Sequence, residues 1–177
     1  MASKRAIVII FSCRQPDEYR ARAEKAINWA LSNVINPVFI FTGVDFPPML
    51  DDIAKTFGNG HTIWENVSRT IKENIRYTFK RIKQNWFANQ VMLKDCYAYI
   101  FVSSWYHIPR IKLILRRDGV NGFNIKRETF VKSYRNVHLI NVLVEPFALL
   151  ATIFCIGHWP IVAFIKQRLN YNGQKEV

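Results

Sequence analysis

A chain of 177 residues, half of them apolar, suits one folded unit with its own core and excludes a disordered or fibrous chain. Its formal charge of +12, from 25 Lys and Arg against 13 Asp and Glu, favours phosphate-bearing partners: a small anionic ligand, an anionic membrane surface or nucleic acid. Cys13, Cys96 and Cys155 are widely separated, with no CxxC pair and no histidine at metal spacing; this excludes a disulfide framework and a zinc site and implies free thiols in a reducing, cytoplasmic setting.

Residues 6–11 (AIVIIF) form a short unbroken apolar run, which predicts a strand covered on both faces, as in a parallel sheet. The run is too short for the apolar core of a secretory signal. Residues 17–34 show helical spacing, with Ala23, Ala26, Ile27, Ala30, Leu31 and Val34 on one face and Arg20, Arg22 and Lys25 on others. Pro37 opens a second strand over 38–42 (VFIFT) that ends at Gly43. A short helix over 48–57 and a turn between Gly58 and Gly60 lead to a third strand at 61–64. Residues 68–86 predict a long helix, buried along Ile71, Ile75, Phe79, Ile82 and Trp86 and basic elsewhere. Since its aromatics fall on the buried stripe, that basic surface reads as solvated or membrane-facing, and no specific nucleic-acid surface is expected.

Residues 97–103 (YAYIFVS) give a fourth strand, residues 106–117 a helix stopped by Gly119, and residues 120–125 a fifth strand. Strand and helix alternate, so the fold class is α/β: a Rossmann-like, doubly wound, mostly parallel five-stranded sheet with helices on both faces. Residues 1–135 make that domain; residues 136–177 make an apolar C-terminal helical extension. The part from Pro146 to Ile165 matches the roughly 20 residues of a bilayer span and is closed by Lys166 and Arg168, but Gly157, His158 and Pro160 argue against a straight span. Burial against the domain and contact with the inner face of a membrane both fit it.

In such a sheet ligands bind beyond the carboxyl ends of the strands. After the third strand, Glu65 stands at the strand end as a general base or orienting group, and Ser68 and Thr70 stand at a helix mouth that favours an anion. Thr70 and Glu73 also spell a capping box, which explains both without a ligand. After the fourth strand come Ser103, Ser104, His107 and Arg110. His107 and Arg110 are three residues apart and share one face of a helical turn, where the imidazole can move a proton and the guanidinium can grip a carboxylate or phosphate. No P-loop, dinucleotide fingerprint or metal-ligand spacing is present.

VSSWYHIPRIKLILRRDG (102–119) and ENVSRTIKEN (65–74) resemble the signature stretches of the YdcF/SanA/ElyC family, T-S-x-[YF]-H-x-x-R-A…G and E-x-x-S-x-x-T-x-E-N. Arg22 in RAEKAINWAL, and Thr42-Gly43 where the family often has Ser-Gly-Gly, extend the resemblance over about residues 7 to 125. It implies a pocket at the strand ends holding Arg22, Thr42, Gly43, Ser68, Asn74, Ser103 and Arg110 as ligand-binding residues, with Glu65 and His107 as catalytic ones. It also implies envelope or lipid-carrier physiology, and one type of member binds S-adenosylmethionine. Three readings stay open: a hydrolase or transferase acting on a phosphorylated substrate, a non-catalytic binder of S-adenosylmethionine or a nucleotide, and a basic peripheral membrane protein with a vestigial site. The chain departs from the pattern at Ile71 (family Thr), at Val44 (second Gly of the turn), at Ser12-Cys13-Arg14 (a Gly-rich turn in the family) and over residues 45–50.

Overall fold

The structure is a computed structural model and describes residues 3–88, 98–118 and 128–154. Strands and helices alternate as β1 (Ser3–Phe11), α1 (Pro16–Asn33), β2 (Val34–Thr42), α2 (Leu50–Phe57), β3 (Thr62–Glu65), α3 (Ile71–Ala88), β4 (Ala98–Ser104), α4 (Ile108–Asp118), β5 (Glu128–Ser133) and α5 (Leu139–Ile153), with a 3-10 turn, Trp105–His107, leading from β4 into α4. The strands form one sheet in the order β3-β2-β1-β4-β5, and every pairing is parallel. The chain therefore steps outward from β1 to β3, returns past β1 and continues on its other side. The order reverses between β1 and β4, which puts the switch-point crevice at the carboxyl ends of those two strands.

The unbroken apolar runs are buried on both faces, because successive side chains of a strand point to opposite sides. Val8, Ile10, Phe39, Phe41, Ile100 and Val102 meet Tyr19, Ala23, Ala26 and Ala30 of α1 and Ile53 of α2. Ile7, Ile9, Ile40 and Phe101 meet Ile75, Phe79 and Ile82 of α3 and Ile108, Ile111 and Ile114 of α4 on the other face. The alanines of α1 recur every three or four residues and bring that helix close to the sheet. Leu31, expected among them, is 56% exposed. It follows Ala30 in the last turn, where the helix rotates it away from the strands.

Three expectations change in detail. The fifth strand is Glu128–Ser133, paired with β4 from Tyr99↔Glu128 to Ser104↔Ser133; the expected strand at 120–125 lies outside the described residues, as do Cys96 and Cys155. Helix α3 begins at Ile71, since residues 66–70 are taken up by the capping turn described below. Pro37 sits inside β2, paired with Ala6 of β1. β3 joins β2 only from Phe39 onward, and Phe39 N donates to His61 O at 2.7 Å on that side. Two residues earlier, the position of Pro37's missing N–H faces the same side, where no strand among the described residues needs it. Its carbonyl oxygen there lies 2.6 Å from His61 Nδ1, which fixes the proton on that nitrogen.

Helix α5 runs beside α4. Glu145 meets Arg110, and seven residues later Arg117 Nη1 donates to Thr152 O at 2.5 Å, so the two helices are parallel and in step over two turns. Its N-terminal end crosses α1, through Asn136 Nδ2 to Asp17 O (3.3 Å) and Asn141 Nδ2 to Glu18 Oε2 (3.3 Å). Among the described residues no helix is long and apolar enough to cross a membrane.

Candidate functional site at the carboxyl edge of the sheet

The register of the sheet places three of the expected residues in one row. Thr42 is level with Glu65 and with Phe11, and Ser103 follows Val102, the partner of Ile10. Glu65, Thr42 and Ser103 thus belong to the face covered by α3 and α4. The Oγ1 of Thr42 and the Oγ of Ser103 are fully buried and have no hydrogen-bond partner among the described residues, and Thr78 Oγ1 of α3 shares that condition. Buried hydroxyls left in this state mark a place for water or a polar ligand group.

Glu65 is held from every side. Val67 N and Ser68 N donate to its Oε1 at 2.9 and 3.1 Å, Gly43 N approaches Oε2 at 3.4 Å, and the Ser68 hydroxyl bonds Oε2 as well. The same hydroxyl touches the side-chain amide of Asn74. One hydroxyl proton serves one acceptor; given to the carboxylate, it obliges Asn74 to present its Nδ2–H to Ser68 Oγ. The capping box is realised too. Glu73 Oε2 accepts from Arg69 N (2.9 Å) and Thr70 N (3.0 Å), while Thr70 Oγ1 accepts from Glu73 N (3.2 Å). The amides of residues 67–70 that were expected to cradle an anion are therefore engaged by the chain's own Glu65 and Glu73.

Gly43 has a structural reason to be glycine. Its φ is +102°, and a Cβ there would stand 2.0 Å from Ser12 Oγ. The close approach locks the turn after β1 to the turn after β2, with Ser12 N donating to Thr42 O (3.1 Å) and Trp64 Nε1 to Gly43 O (2.9 Å).

Arg22 fills the switch-point crevice. Its guanidinium is fully buried and donates to Phe11 O and Ser12 O (2.8 Å each), to Ser104 Oγ (3.0 Å) and to Glu18 Oε1 (2.8 Å). It thereby ties the ends of β1 and β4 together. Glu18 accepts further hydrogen bonds from Ser104 and Tyr106 hydroxyls. Burial works to raise the Glu18 carboxyl, but the charge of Arg22 and the bonds from Ser104, Tyr106 and Arg22 outweigh it and hold the group down at about 2. Burial and the bond to Glu18 push the Tyr106 phenol up. Burial likewise raises the thiol of Cys13, which is a free cysteine.

His107 and Arg110 do converge, and on a group the sequence did not single out. Glu145 of α5 sets Oε2 2.9 Å from His107 Nδ1 and Oε1 2.9 Å from Arg110 Nε. All three side chains are largely buried, and neither N–H is aimed well enough at its oxygen to count as a directed hydrogen bond. Between Arg110 and Glu145 the contact is close-range charge pairing, and His107 packs its Nδ1 edge against the same carboxylate. Burial lowers the pKa of His107, with Glu145 opposing, so the neutral imidazole is favoured. Burial also works against the charge on Arg110, which Glu145 supports.

The nine expected residues therefore fall into three neighbourhoods. Glu65, Ser68 and Asn74 form one network, next to Thr42 and Gly43; His107 and Arg110 form a second around Glu145, in the segment that follows Ser103 of β4; Arg22 forms a third with Glu18. Glu65 does not touch His107 or Arg110. β3 and β4 are three strand spacings apart, which is about 14 Å, so the two neighbourhoods do not share one contact. Sequence reasoning missed Glu18, Asn141 and Glu145 as members. Glu18 and Arg22 are an acid–base pair four residues apart on a helix, a signal that was readable. Among the described residues no group of three or more His, Cys, Asp or Glu is placed to hold a metal ion. Comparison of the chain with protein-family models, with curated proteins and with solved structures finds no match.

Proposed function

We propose that this chain is a YdcF/SanA/ElyC-like protein that binds a small phosphate-bearing or nucleotide-like ligand at the carboxyl edge of its sheet. The observation that carries the reading is the Glu145 carboxylate straddling His107 and Arg110. A cation and an imidazole spaced to receive two oxygens of a carboxylate are also spaced to receive two oxygens of a phosphate. The unpartnered hydroxyls of Thr42 and Ser103 supply further donors along the row towards Glu65. A ligand anion would take the place of Glu145. Arg110 would hold it, and neutral His107 would accept a proton from an attacking hydroxyl or water if the ligand is turned over by hydrolysis or group transfer. Glu65, encircled by donors, orients the Ser68–Asn74 side of the site.

Calorimetry with ATP, ADP and S-adenosylmethionine tests this. The expected result is saturable binding of at least one, weakened tenfold or more (about 1.4 kcal/mol) by Arg110→Ala and strengthened by Glu145→Gln, which removes the competing charge. Absence of saturable binding by all three, or binding indifferent to Arg110→Ala, would defeat the reading. Chemical change of the bound compound, lost in His107→Ala, separates an enzyme from a binder.

A further inference from the structure

Helix α5 is amphipathic in reverse. Its single charged residue, Glu145, points inward with Val144 and Ala148, while Leu139, Leu143, Phe147, Leu150 and Ile153 are exposed, and Phe154 follows them. At about 100° per residue these exposed side chains occupy one continuous arc opposite the buried one, with Pro146 among them. A helix that meets only water carries polar residues on its outer face; this one carries none there. The pattern is not a scatter of isolated apolar residues, which needs no explanation, but a single stripe along the whole helix.

What covers the stripe is indicated by its surroundings. Basic side chains stand exposed on the neighbouring segments: Lys132 on β5, which precedes α5 in the chain, and Arg116 on α4, next to the Arg117 that meets the end of α5; Arg135 is exposed as well and pairs with Glu24. Trp105, on the turn that α5 packs against, is 40% exposed. The sequence beyond the stripe stays apolar through Ile165 and then becomes basic at Lys166 and Arg168, and the chain carries a net charge of +12. An apolar face on a strongly basic chain, with cations and an aromatic on the adjoining segments, matches the acyl boundary and anionic headgroups of a bilayer. A second copy of this chain would bring like charge against like charge.

We propose that the outer face of α5 docks on the surface of an anionic membrane, the helix lying in the interfacial plane. The proposal is independent of the ligand at the sheet edge. Flotation of the full chain with phosphatidylcholine vesicles, with and without phosphatidylglycerol, tests it at physiological salt. Binding to the anionic vesicles is expected, weakened about tenfold by each of Leu143→Ser and Phe147→Ser, with thermal melting confirming that both variants stay folded. Lys132→Glu with Arg116→Glu should weaken it as well, in a salt-dependent manner. Failure of the wild type to float with anionic vesicles overturns the proposal, as does flotation unchanged by the apolar substitutions. So does a dimer in sedimentation that the same substitutions convert to monomer, without vesicle binding.

Discussion

Arg22 shows why a basic residue at a ligand-binding position need not face a ligand. In the switch-point crevice its donors bond the carbonyls that end β1 and the Ser104 hydroxyl of β4, and Glu18 neutralises it. Two charges sealed from water are held because each supplies what the other lacks; removing one strands the other. Glu18→Gln is therefore expected to destabilise the fold by about 3–5 kcal/mol in urea titration. The Glu18 carboxyl is held at about 2, below its ordinary 4.5. Its folded value is depressed, so its contribution is complete above about 4.5 and fades as pH falls towards 2. The wild type should lose this stability across that acid interval, and Glu18→Gln should show a flatter profile there.

At the scale of elements, the alternation of strand and helix was legible because the strands are unbroken Ile, Val and Phe runs and the helices carry clear periods. The strand-to-helix turns after β3 and β4, where the candidate segments lie, were legible as well. What was hidden arises from contacts across the chain. Glu145 is a lone acid in an otherwise apolar segment, and nothing local reveals that α5 turns it towards Arg110. The strand at Glu128–Ser133 was not legible because ETFVKS is short and mixed, and only pairing with β4 makes it a strand. Gly43 was assigned to ligand binding on resemblance, and the turn-to-turn contact gives it a second duty. Gly43→Ala forces a Cβ into Ser12 at a backbone angle hostile to side chains, and a loss of about 2 kcal/mol or more is expected from thermal or urea melting. An equal stability of variant and wild type would show that the two turns are not locked together.

For the whole molecule, α5 packs on α4 and on the turn that follows β4, and the His107 buried beneath Glu145 makes that packing pH-sensitive. Burial depresses the imidazole below its ordinary 6.5 in spite of Glu145. The stabilisation is thus complete above about 6.5 and is lost as pH falls through the lower folded value. Urea midpoints measured from about pH 8 to about pH 5 should fall for the wild type and fall less for His107→Gln. The far side of the sheet carries a different safeguard. Below Phe39, β2 has no strand neighbour on its outer side among the described residues, and a bare strand edge there would be a template for a foreign chain. Pro37 offers no donor at that point, and the His61 ring already occupies its oxygen. An intruding strand would find neither half of a ladder rung at Pro37, so this stretch of β2 is a poor template for edge-to-edge pairing.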